Sequence, residues 1–173
     1  MIDENEDRNI REKEEFEMLK KFYKIETEMK RLFTIGYTKK SAERFFDIIN
    51  AAGVKKVIDV RLYNNSQLAG FAKKENLKYF LKKLCDCDYL HFDYMAPSKD
   101  LFDDYKKKKI DWNEYESRFK KLIIQRKMVQ MISPHYIDGV CLLCCEPEAT
   151  NCHRRLVAEH FQNTFNDIYI SHL

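Results

Sequence analysis

From Leu32 onward, short apolar runs of strand length alternate with amphipathic stretches of helix length, and this alternation leaves few architectures open. Strands joined by helical crossovers lie parallel, because each helix carries the chain back to the same end of the sheet. The pattern predicts strands over residues 32–35, 54–60, 89–92, 139–145 and 168–170. Between the first two, Ser41 is placed to cap a helix that Gly53 terminates, with Phe45, Phe46, Ile48, Ile49 and Ala52 along one apolar stripe. Further helices are expected around 74–84, through an insertion over 100–131, and from Asn151. The expected fold is single-domain α/β, a mostly parallel five-stranded sheet flanked by helices.

Ahead of that pattern, residues 8–31 lack Gly and Pro and carry Ile10, Phe16, Leu19, Phe22, Tyr23 and Met29 at mostly helical spacing. The expected division is an extra N-terminal helix in an extension over residues 1–31, then the α/β domain over 32–173. Two roles fit the extension: covering the body, or pairing two copies into a homodimer.

With 173 residues, 45% of them hydrophobic against 34% charged, the chain can build one self-supporting core, which excludes disordered and disulfide-stapled classes. Residues 1–31 hold 8 basic and 10 acidic side chains, so 32–173 carry a net charge of +5, enough to attract anions mildly. No apolar run approaches the roughly 18 residues of a membrane span, and the first seven residues are acidic where a secretory leader is basic. A cytoplasmic location without membrane contact is expected, with the six cysteines reduced.

Chemistry-bearing residues cluster just after the predicted strands, and in a parallel sheet those carboxyl ends share one edge, where ligands bind. Tyr37 follows the first strand, Asp59 and Arg61 end the second, Lys99 follows the third and Glu146 the fourth. Arg61 ends a buried strand and needs a partner, either a salt bridge to Asp59, Glu146 or Asp93 or a bound phosphate or carboxylate. Glu146 suits general acid–base work in a partly dry pocket, or orients Arg61 or Arg154. The run Lys106–Lys109 reads as a solvated helix end ahead of a nucleic-acid patch.

Cys141-x-x-Cys144 has the spacing of zinc ligands, but alternation along a strand turns the two thiols to opposite faces, so no metal is expected there and Cys141 and Cys145 read as inert core residues. Asn151 is placed as N-cap, putting Cys152, His153 and Arg154 in a first helical turn whose free N–H groups favour anions. That position lowers a thiol's pKa, making Cys152 a candidate nucleophile, with plain packing as the competing reading. His153 reads as a helix-packing residue ahead of a ligand, and His91 and His172, in or beside strands, as hydrogen-bonded core residues.

Thr34-Ile35-Gly36-Tyr37, Asp59-Val60-Arg61 and Leu143-Cys144-Cys145-Glu146 with Cys152-His153-Arg154 resemble the domain of unknown function 488 family, whose pattern is T-I-G followed by H or Y, then D-V-R, then C-x-E and C-H-R. The stretches 64–73, 89–91, 96–99 and 111–115 resemble one branch of that family, so the resemblance runs from about Leu32 to Phe161. It implies a compact α/β protein whose motifs meet at one edge, and brings no established activity. Many members carry His where this chain has Tyr37; a phenol, with a pKa of about 10, is a poor substitute if that His moves a proton.

Three functional expectations follow. The first is an enzyme on a small anionic ligand or nucleotide, with Arg61, Arg154 and Lys99 holding the anion and Asp59 lining the pocket. Ser66, Gln67 and Lys73 would close it, and Glu146, Cys152 and Tyr37 are its candidate catalytic residues; no cofactor is expected. The second is a non-catalytic nucleic-acid module stacking on Tyr37, Tyr63 and Phe71. The third is a thiol-dependent protein using Cys152.

Overall fold

The computed structural model describes residues 14, 15, 17–19, 21, 29–65 and 69–173, apart from the side chain of Met131. Five strands form one sheet: β1 (Lys30–Gly36), β2 (Lys56–Asp59), β3 (Asp88–His91), β4 (Val140–Cys144) and β5 (Ile168–His172). Their order is β3-β2-β4-β1-β5 and every pairing is parallel, which sharpens the expected mostly parallel sheet. Strand β2 is shorter than the expected 54–60, because Val54 and Val60 flank the ladder. Among the described residues no helix is long and apolar enough to cross a membrane.

Five α-helices connect the strands: α1 (Ala42–Ala51), α2 (Lys74–Cys85), α3 (Lys99–Lys106), α4 (Trp112–Gln125) and α5 (His153–Thr164). Ser41 caps α1 by accepting from the Arg44 N–H at 3.1 Å, as expected. Ser98 and Asp111 do the same for α3 and α4. Helix α5 begins one residue later than its sequence suggests: Cys152, not Asn151, is the N-cap, and its side chain makes no capping hydrogen bond. In the extension, the described residues 14, 15, 17–19 and 21 are helical; its pairing role lies outside the described residues.

Alternation along each strand builds two cores. Phe33, Ile35, Val57, Cys141 and Leu143 face α1 and α2, meeting Phe45, Phe46, Ile49, Leu77 and Leu81. Leu32, Ile58, Val140 and Leu142 face the other way, onto Leu101, Phe119, Ile123, Leu156 and Phe161 of α3, α4 and α5. Each side chain of this size taken fully out of water contributes about 1.5–3 kcal/mol. The crossover from β1 passes over one face and that from β4 over the other, so the two central strands send their following loops apart and leave a crevice at their carboxyl ends. Gly36 makes that crevice tight, since a Cβ there would sit 1.8 Å from the Glu146 carbonyl oxygen.

Candidate functional site

Asp59 and Arg61 lie two residues apart as β2 runs out, so their side chains emerge on the same side. The guanidinium grips the carboxylate with two hydrogen bonds, Nε to Oδ1 at 2.7 Å and Nη2 to Oδ2 at 2.6 Å. It also donates to the Ala72 carbonyl at 3.0 Å, and Tyr89 Oη donates to Asp59 Oδ2 at 2.7 Å. The pair is 0% and 3% exposed. Burial works against the Arg61 charge, and the hydrogen bonds and charge of Asp59 more than offset it. Of the partners open to Arg61, Asp59 is the one it holds. The Tyr37 ring lies 5.1 Å from the guanidinium carbon, and burial and Cys145 push its phenol above the ordinary value, so Tyr37 keeps its proton at neutral pH.

The segment after β2 is pinned at two successive carbonyls. His153 Nε2–H donates to the Val60 carbonyl at 2.8 Å, and His91 Nε2–H donates to that of Arg61 at 2.9 Å. A carbonyl only accepts, so in both rings Nε2 carries the hydrogen. In neutral His153 this leaves the lone pair on Nδ1, which faces Cys144 Sγ at 3.8 Å. Cys144, Cys152 and His153 are buried, and their sulfur and nitrogen atoms lie within 4.8 Å of one another. Burial opposes ionisation of Cys152, but hydrogen bonding with Cys144, the His153 ring and the Arg154 guanidinium bring its thiol down to about 5, while Cys144 goes up. Cys141 is on the opposite face, as strand alternation requires, and burial pushes its thiol up.

A cavity of about 270 Å³ opens over this corner, lined by Tyr37, Arg61, Lys106, Cys145, Glu146 and His153 among others. A smaller one of about 30 Å³ adjoins it, bounded by Cys144, Cys152, His153, Asn151, Trp112 and Tyr115. Lys106, at the end of α3, pairs with Glu146 across the mouth at 3.2 Å, the side chains being 51% and 44% exposed.

The structure thus brings Tyr37, Arg61 and Glu146 to one cavity and Cys152 to the next. Arg154 points elsewhere: 1% exposed, it donates to the Glu146 carbonyl at 2.6 Å, to the Pro147 carbonyl at 3.2 Å and to Thr34 Oγ1 at 3.4 Å. Lys99 pairs with Asp103 at the surface and Lys73 flanks α2; neither lines the cavity. Ser66 and Gln67 lie outside the described residues. Sequence reasoning missed Lys106, Cys144 and His153 as site residues. A clue was there: Cys144 and Cys152-His153 flank one strand-to-helix connection, whose two ends meet at the sheet edge.

A family model described as a domain of unknown function, DUF488, matches residues 41–161. No curated protein and no solved structure matches the chain. The matched span holds Asp59, Arg61, Glu146, Cys152 and Arg154 and every strand but the two outermost in sequence, β1 and β5, so the chain belongs to the DUF488 family.

Proposed function

We propose that this protein is an enzyme that binds a small phosphate- or carboxylate-bearing ligand in the larger cavity at the sheet edge and acts on it there. The observation that carries the reading is the cavity lining, where Arg61, fixed by Asp59, is joined by Lys106 and Glu146. The Lys106–Glu146 pair is half exposed, and such pairs are worth about 0–1 kcal/mol, so an incoming anion exchanges with the carboxylate at little cost. Glu146, released, is then free to move a proton on the ligand, and Tyr37 lines the same cavity with an O–H. A volume of about 270 Å³ suits a small anion or a single nucleotide fragment better than a dinucleotide.

Titration with inorganic phosphate, followed by NMR shifts of the residues lining the cavity, tests this reading. Lys106→Ala should weaken binding about tenfold, and Glu146→Gln should strengthen it several-fold by removing the competing carboxylate. Absence of binding, or binding indifferent to both changes, overturns the proposal. A second reading, a nucleic-acid surface, draws on Tyr63, 56% exposed at the cavity mouth beside the Lys106–Lys109 turn. Retention on a polyanion resin that falls steeply with salt would favour it over the enzyme.

A further inference from the structure

We infer that Cys144, Cys152 and His153 form a binding site for one zinc(II) ion, with its fourth coordination position open toward the cavity. Two thiols and an imidazole are the donor set that borderline-soft ions such as zinc select, and three protein ligands with one open position is the arrangement of reactive zinc centres. In a tetrahedral site, a sulfur at about 2.3 Å and a nitrogen at about 2.0–2.1 Å from the metal sit roughly 3.6 Å apart. Cys144 Sγ and His153 Nδ1 are 3.8 Å apart, and the whole set lies within 4.8 Å, so a small contraction completes the site.

The orientation of His153 is the second, independent observation. Its Nε2–H is committed to the Val60 carbonyl, which fixes the ring and leaves the Nδ1 lone pair facing Cys144 Sγ, with the ligand atom of Cys152 inside the same 4.8 Å cluster. A ligating histidine characteristically has its other ring nitrogen tied to a carbonyl or carboxylate in this way. The adjoining cavity of about 30 Å³ touches all three residues, and room for one water is the open position's requirement.

The binding step is balanced without redox chemistry: zinc(II) displaces whatever protons the two thiols still hold, that of Cys144 in every case, which pass to solvent, and accepts the Nδ1 lone pair. Two thiolates cancel the ion's charge, so the filled site adds no positive charge of its own to that of the buried Arg154 guanidinium. Cys145, whose sulfur lies 3.9 Å from that of Cys144, falls outside the three-residue set, so the site keeps its open position. The metal site stands on its own geometry; that its open position meets the bound anion rests on the function proposed above.

The test uses the full chain, stripped with a chelator, kept reduced by a phosphine, and titrated with zinc chloride against a chromophoric competitor and separately with cobalt(II). One equivalent of zinc should bind, and cobalt should give the visible bands of tetrahedral coordination with a thiolate-to-cobalt charge-transfer band. Cys144→Ser and Cys152→Ser should each weaken zinc at least tenfold and roughly halve that band. His153→Gln should weaken zinc and leave the band, while Cys141→Ser, on the other face of the same strand, changes nothing. Should a variant fail to fold, the wild-type chain decides: zinc must protect Cys144 and Cys152 from maleimide and leave half-buried Cys85 reactive. Failure to take up stoichiometric zinc, equal loss in Cys141→Ser, or protection spread over all six cysteines overturns the inference. Lys106→Ala, expected to weaken phosphate about tenfold and keep zinc, separates this proposal from the one above.

Discussion

Arg61 and Arg154 are both sealed inside the protein at the same edge of the sheet, and they are held by different means. Arg61 has a carboxylate, gripped at two points, so its charge is cancelled where it sits. Arg154 has two carbonyls and a hydroxyl, and among the described residues no carboxylate lies within ion-pair distance of it. Hydrogen bonds satisfy its N–H groups but leave its charge standing. Its field accordingly opposes protonation at Lys40 and His172 and favours the thiolate at Cys152. One arginine is a structural pair that also forms a cavity wall; the other ties a loop to the sheet and sets the local potential.

The comparison breaks first, and most visibly, through stability. Removing one member of a buried ion pair costs about 3–5 kcal/mol, because the other charge is left in the interior. Arg61→Met should therefore lower the free energy of unfolding in urea by that amount, with Asp59→Asn recovering part of it in the double variant. Arg154→Met strands carbonyls and no charge, so a smaller loss of about 1–3 kcal/mol is expected. Equal losses would mean that the carboxylate makes no difference.

Gly36→Ala sharpens the distinction. The added methyl meets the Glu146 carbonyl at 1.8 Å and should cost about 1–3 kcal/mol as the loop is pushed away. The displaced carbonyl is one that Arg154 holds, so this loss should overlap with that of Arg154→Met in the double variant and add to that of Arg61→Met.

The smallest effect is on pH. Thr34 Oγ1 accepts from Arg154 Nε and shares a hydrogen bond of 2.7 Å with His172 Nδ1, which links the histidine to the buried guanidinium. Burial first, and then the Arg154 charge, hold the His172 pKa below its ordinary 6.5. The unfolded chain takes up that proton more readily, so this contribution to stability is complete above about pH 6.5 and is lost as pH falls through the folded value. An NMR titration should show the His172 midpoint moving up in Arg154→Met and staying in place in Arg61→Met.

The Asp59–Arg61 pair was legible in the sequence because a spacing of two on a strand puts both side chains on one side, whatever else the fold does. The opposition of Cys141 and Cys144 was legible for the same reason. The Cys144–Cys152–His153 cluster was not, since it depends on where α5 starts. Moving the N-cap from Asn151 to Cys152 turns each following side chain by about 100° around the helix axis, which decides what faces the strand. Arg154 was misplaced as an anion ligand because nothing in its own neighbourhood reveals that Gly36 draws the 146–147 carbonyls within its reach. Lys106 looked like one of four solvated lysines until the position of α3 over the crevice gave it a destination.

Imidazoles from β3 and α5 each clasp one of two consecutive peptide groups behind Arg61, so that side of the opening behaves as a fixed jamb. Facing it stands an eight-residue helix that reaches the opposite wall through the solvent-washed Lys106–Glu146 pair and the edge-on contact of Phe102 with Tyr63, while Leu101 roots it in the core.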